Sequence, residues 1–219
     1  MKKAFRTGLL SILFISTLAS AQIQRNDSES RVGKNATGEY GLVTPVLTQF
    51  QEITSVDGTS NDEFGVSVAI DGDTAIIGAY LNDELAFNAG AAYIFVRSGM
   101  AWVQEAKLTA SDGAASDLFG WRVAISGDTV IIGARQANPG PTRPDGGAAY
   151  VFTRSGTTWT EQQKLTAAAP ASFDEFGFSV GLEGDTAVIG AVAEGSAGVR
   201  PGSAYVFTRS GTVWTEQTK

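Results

Sequence analysis

Apolar residues occupy alternate positions in FGVSVAI (64–70), which places Phe64, Val66, Val68 and Ile70 on one face of a β-strand. TAIIGAY (74–80) is apolar on both faces, AAYIFV (91–96) follows, and AWVQEAKLT (101–109) closes the series with polar interruptions. Asp71-Gly72 and RSGMA (97–101) are short glycine-containing connections of the kind that tight hairpins use. The pattern predicts a four-stranded antiparallel sheet. Its middle is apolar on both sides, so it needs cover on both faces.

The same pattern returns twice, because DLFGWRVAISGDTVIIGA (117–134) and DEFGFSVGLEGDTAVIGA (174–191) repeat DEFGVSVAIDGDTAIIGA (62–79). Phe64, Phe119 and Phe176 are 55 and 57 residues apart, whereas Trp102, Trp159 and Trp214 are 57 and 55 apart. The two extra residues fall in RQANPGPTRPDGGA (135–148), which marks that segment as a loop. Copies of the sheet are the available cover for one another. Four-stranded units stacked face to face around an axis make a β-propeller.

The predicted fold is therefore all-β, with about three four-stranded antiparallel blades spanning 55–109, 110–166 and 167–219. Phe64, Phe119 and Phe176 are expected to fill the space between blades. Gly65, Gly120 and Gly177, with Gly78, Gly133 and Gly190, are expected to allow backbones to approach there. VLTQFQEIT (46–54) aligns with WVQEAKLT (102–109), so 43–54 reads as an outermost strand without the other three of its blade. Three blades fall short of the four or more with which propellers close. The expectation is an incomplete ring that either continues into further blades or associates with a second copy.

FG followed by IGA, three times, with GAAYIF, GAAYVF and GSAYVF downstream, resembles the FG-GAP repeat of integrin α-chain-type propellers and their bacterial relatives, over about residues 43–219. The closing Pro of that motif is replaced by Tyr80, Arg135 and Val192. The resemblance implies an extracellular binding or adhesion role. It also implies calcium in the first hairpin of many members, held by a D-x-D/N-x-D-G loop. Here the hairpins read IDGDT, ISGDT and LEGDT, too short to wrap an ion that takes six or more oxygens. No cofactor is expected, and Asp73, Asp128 and Asp185 read as turn-stabilising groups.

Connections between units are the better polar candidates. Asp57 and Asp112 recur at one position there and Asp62 and Asp117 at another, a weak candidate set for a metal. The third copy keeps Asp174 but has Ala169 in place of Asp112, which favours an Asx-turn at the strand entrance. Loops 80–90, 135–147 and 192–202 are expected on the same face as the connections, and they differ most among the repeats. Asp83, Glu84, Arg135, Arg143, Asp145, Glu194 and Arg200 are the candidate ligand-binding residues of that face.

Composition narrows the chemistry. With no His and no Cys, the chain cannot form a Ser-His-Asp triad, a thiol nucleophile or an imidazole or thiolate zinc site. The alternative to a binding module is a carboxylate-based glycosidase or lyase drawing on Asp83, Glu84, Asp145 or Glu194.

MKKAFRTGLLSILFISTLASAQ opens with Lys2, Lys3 and Arg6, continues as a short apolar run and ends in Ala19-Ser20-Ala21, the pattern of a signal peptide cleaved after Ala21. The run is too short for a membrane span. A secreted, surface or periplasmic location follows, with residues 22–42 as a polar linker. Cleavage leaves 13 basic against 23 acidic side chains, a balance that disfavours nucleic acid as partner and leaves an extracellular protein or glycan.

Overall fold

The structure, a computed structural model, describes residues 32–34, 40–42, 51–140, 144–195 and 200–219. The chain divides into two units at Phe50/Gln51. In the first, within the stretch read as linker, β1 (Val32–Lys34) pairs antiparallel with β2 (Tyr40–Leu42). The signal-peptide segment and residues 43–50 lie outside the described residues. Among the described residues no helix is long and apolar enough to cross a membrane.

The second unit is all-β. Its first sheet takes β3 (Ser67–Asp71), β4 (Thr74–Ala79), β5 (Ala91–Ser98) and β6 (Ala101–Leu108) in spatial order, each antiparallel to the next. The second consists of β7 (Phe119–Ser126), β8 (Thr129–Ala134), β9 (Ala148–Ser155) and β10 (Thr158–Leu165). The third consists of β11 (Phe176–Glu183), β12 (Thr186–Ala191), β13 (Ser203–Ser210) and β14 (Val213–Thr218). These are three propeller blades, one per repeat.

Face-to-face packing forms the core. Ile76, Ile94 and Leu108 of blade 1 join Phe119, Val123, Ile125, Tyr150 and Phe152 of blade 2 in one buried cluster. Ile131, Val151 and Leu165 of blade 2 join Phe176, Ile189, Tyr205 and Phe207 of blade 3 in the next. Each repeat phenylalanine meets the third-strand tyrosine of its own blade edge-on, at 5.2–5.4 Å between centroids. Glycine makes the close approach possible. A Cβ on Gly78 would lie 2.0 Å from the carbonyl oxygen of Gly120, and one on Gly133 would lie 2.1 Å from that of Gly177.

Two local expectations are corrected. Val66, Trp121 and Phe178 do not share the face of the repeat phenylalanine. A register shift between Phe119 and Arg122, and another between Phe176 and Ser179, makes a bulge at the positive-φ glycines Gly120 and Gly177. The bulge turns Trp121 and Phe178 out of the interblade core. The first hairpin also lies one residue later than its sequence indicates. Asp71 pairs with Thr74, so the turn residues are Gly72-Asp73, with φ of 56° at the glycine in the first position.

Candidate functional site

Hairpins Gly72-Asp73, Gly127-Asp128 and Gly184-Asp185 lie at one end of the blades; the long loops and the connections between blades meet at the other. The Ser116 amide of a connection donates to the Phe87 carbonyl of a loop, and the Phe173 amide donates to the Pro144 carbonyl. The connections differ in sequence yet share a backbone conformation. Asn61, Ser116 and Phe173 have φ of 65–77°, and Glu63, Leu118 and Glu175 have φ of 55–59°. Side chains in that region are strained, so something must hold them.

Asp62, Asp117 and Asp174, all 4% exposed, do so. Each carboxylate accepts the amide three residues earlier, from Thr59, Ala114 and Ala171, at 2.7–3.0 Å. Asp62 also accepts from the Thr59 hydroxyl and the Asn82 amide. Burial pushes the Asp62 carboxyl up, but these donors outweigh it and hold it below the ordinary range. Asp117 has alanines where Asp62 has Thr59 and Asn82, and burial raises it.

Asp57 and Asp112 belong to a second repeated arrangement. Lys107 of β6 contacts Asp57 and Glu84, and Lys164 of β10 contacts Asp112 at 2.7 Å. The amines lie over the rings of Tyr93 and Tyr150, and the Tyr150 hydroxyl donates to Asp112 at 2.8 Å. The Lys107 hydrogen bond is the main influence holding the Asp57 carboxyl low. For Asp112, burial opposes and Lys164 and Tyr150 prevail.

Blade 3 has Ala169 in place of this Asp, and Glu194 of the adjacent loop takes over, contacting Lys219 and accepting from the Tyr205 hydroxyl. Each blade thus ties its outermost strand to the loop face through lysine, carboxylate and tyrosine. The recurring KLT and AAY phrases are the signal that could have revealed it. The four aspartates considered for a metal separate into buried turn caps and lysine partners. Among the described residues no set of three or more acidic side chains is grouped to hold a metal ion.

A profile of the FG-GAP repeat matches residues 47–95, 102–152 and 159–207. The chain belongs to the FG-GAP repeat family. The second and third matched FG-GAP units begin in the outermost strand of one blade, at Trp102 and Trp159, and end in the third strand of the next, at Phe152 and Phe207. No curated protein matches the chain.

The seven residues expected to bind a ligand distribute unevenly over the FG-GAP loop face. Asp83 and Glu84 line an open hollow of about 490 Å³ with Asp57, Thr59, Asn82 and Lys107. Arg135 is separate, 2.9 Å from Glu175 and stacked 4.2 Å from the Trp121 ring centre. Tyr80 and Phe178 flank the same indole, so a Tyr80–Trp121–Phe178 row crosses the three blades. The bulge builds this row, which period-two reasoning missed.

Asp145 and Asn138 shape their own loop, with the Asp145 amide donating to the Asn138 side chain at 3.0 Å. Glu194 is in the third clamp, Arg200 is exposed, and Arg143 lies outside the described residues. Acid–base catalysis needs one carboxyl kept protonated near neutral pH. Glu194 is driven the other way: burial raises it, but Lys219 and Tyr205 prevail.

Proposed function

We propose that this FG-GAP protein is an exported, non-catalytic binding module that recognises an extracellular protein or glycan through its loop face. Export follows from the signal-peptide pattern of residues 1–21. The observation that carries the binding reading is the pairing of a constant backbone with changing side chains. The connections repeat their φ values at Asn61, Ser116 and Phe173, three residues of unrelated chemistry. Blade 1 presents an acidic hollow with Lys107 in it, while blade 2 presents Arg135 stacked on Trp121. A fixed frame displaying variable groups is how loop-built recognition surfaces work. The acidic hollow suits polar and cationic groups, and the exposed parts of the aromatic row suit sugar or aliphatic faces.

The experiment probes fluorescently labelled residues 22–219 against a glycan array and an array of extracellular proteins. Glu84→Gln and Arg135→Ala are expected to weaken the captured ligand at least tenfold, whereas Asp73→Asn at the opposite end leaves it unchanged. Equal loss in all three variants overturns the reading. So does hydrolysis of an arrayed polysaccharide that Glu84→Gln abolishes.

A further inference from the structure

Among the described residues, β3 of blade 1 and β12 of blade 3 each present apolar side chains that no described blade covers, while Ile77, Tyr93 and Phe95 beside β3 are buried with Ile53 and Phe64, and the two faces are complementary. Val68 and Ile70 on blade 1 are 66% and 61% exposed, although their counterparts Val123 and Ile125 are buried against a neighbouring blade. On blade 3, Val188 is 45% exposed where Ile76 and Ile131 are wholly buried.

The covered interfaces define how such faces join. Between blades 1 and 2, the Val123 amide donates to Ser67, the Gly127 amide to Asp71, Arg154 to Thr74 and the Trp159 indole to Glu105. Between blades 2 and 3, three of the four recur: Gly184 to Ser126, Arg209 to Thr129, and Trp214 to Gln162. Blade 3's free face carries the next set of acceptors at the corresponding positions, Ser179, Glu183, Thr186 and Gln217. Blade 1's free face carries the next set of donors, namely the Val68 and Gly72 amides, Arg97 and Trp102. The glycines agree. Gly65 keeps a φ of 97° with open space beside it, and Gly190 has no second blade against it. Their counterparts Gly120 and Gly133 press on a neighbouring blade.

We infer that the two free faces join head to tail between two copies of this chain. Two such joints, related by a twofold axis, close a ring of the three described blades from each copy, within the range of four to eight that propellers adopt. Arg97 of one copy reaches Thr186 of the other, Trp102 reaches Gln217, and Val68 and Ile70 cover Val188. One rim contact is exchanged. The Gln51 side chain brackets the Trp102 backbone as Gln163 brackets that of Trp214. Gln51 and Glu52 therefore occupy the rim positions of Thr218 and Lys219 of the incoming copy, and one of the two exposed pairs swings out.

The test is size exclusion with light scattering on the mature chain, over a concentration series, with Val68→Asp and Val188→Asp as single-face variants. Both sites are exposed, so circular dichroism is expected to show native folding. The wild-type chain forms a dimer that dissociates on dilution, and each variant alone is monomeric. Mixing the two restores a one-to-one pair, because one intact head meets one intact tail. A wild-type chain that stays monomeric, a variant that still dimerises, a mixture that does not pair, or growth into open filaments overturns the inference.

Discussion

Val68 and Val123 occupy the same position of the same phrase, yet one is 66% exposed and the other 7%. Both lie on the first strand of a blade, two residues before Ile70 and Ile125. What differs is the neighbour: blade 1 covers Val123, and none of the described blades covers Val68. Burial in this fold is a property of the stack rather than of the repeat, as in arrays whose stability combines each unit with its interfaces. A repeated apolar pattern says which faces can be covered. It does not say which are.

The sharpest way to break this comparison is a charge at each position. Val123→Asp puts an unpaired carboxylate into the blade 1–blade 2 core and is expected to cost more than about 4 kcal/mol or prevent folding. Val68→Asp is expected to cost the monomer less than about 0.5 kcal/mol, as exposed substitutions do. Urea denaturation of dilute protein checks both, and similar losses would show that the blade 1 face is covered in the monomer.

Next in size are the bulge glycines. Gly65→Ala meets only its positive φ and is expected to cost about 1–3 kcal/mol. Gly120→Ala has the same backbone penalty plus a Cβ 2.2 Å from the Ala91 carbonyl oxygen. It is expected to lower the melting temperature by clearly more than Gly65→Ala. Equal shifts would mean that the two blades are not in contact at Gly120.

The buried turn aspartates sharpen the comparison with pH. Asp62 is held low when folded, so its stabilisation is present above the ordinary carboxylate pKa and is lost as pH falls through its depressed value. Asp117 is raised, so its charged form opposes folding as pH climbs through its elevated value. Asp62→Asn is expected to cost about 1–3 kcal/mol at pH 7 through the donors it leaves poorly satisfied. Asp117→Asn is expected to cost less than about 1 kcal/mol at pH 7, since the amide oxygen still accepts from Ala114. Thermal melts at pH 7 and pH 3 read the difference, which narrows at the lower pH.

The sheets, their antiparallel order and the interblade places of Phe119 and Phe176 were legible in the sequence because alternation and phase-locked repetition are strong signals, whereas Phe64, expected between blades as well, packs with Tyr93, Phe95 and Ile53 on a face that no described blade covers. The direction of Trp121 and Phe178 was not. A bulge depends on backbone geometry at Gly120 and Gly177, and an alternating pattern read across it assigns the wrong side. The clamps were legible only in part. Asp57 and Asp112 were visible as a recurring pair, but their lysines lie 50 and 52 residues away, across the blade. Replacement of that Asp by Ala169 in the third repeat broke the pattern on which recurrence depends. Glu194 restores the contact from a different loop, a compensation visible only in space. Asp73, Asp128 and Asp185, read as turn groups, also hold Arg97, Arg154 and Arg209, each stacked over the tryptophan of its blade.

Amide hydrogen exchange, resolved by blade on dilute monomer, tests most directly whether neighbours rather than repeats determine burial. Blade 2 is covered on both sides, so β7, β8 and β9 are predicted to exchange most slowly, with β3 of blade 1 and β12 of blade 3 markedly faster. Uniform protection across β3, β7 and β11, three strands of nearly the same sequence, would contradict the account.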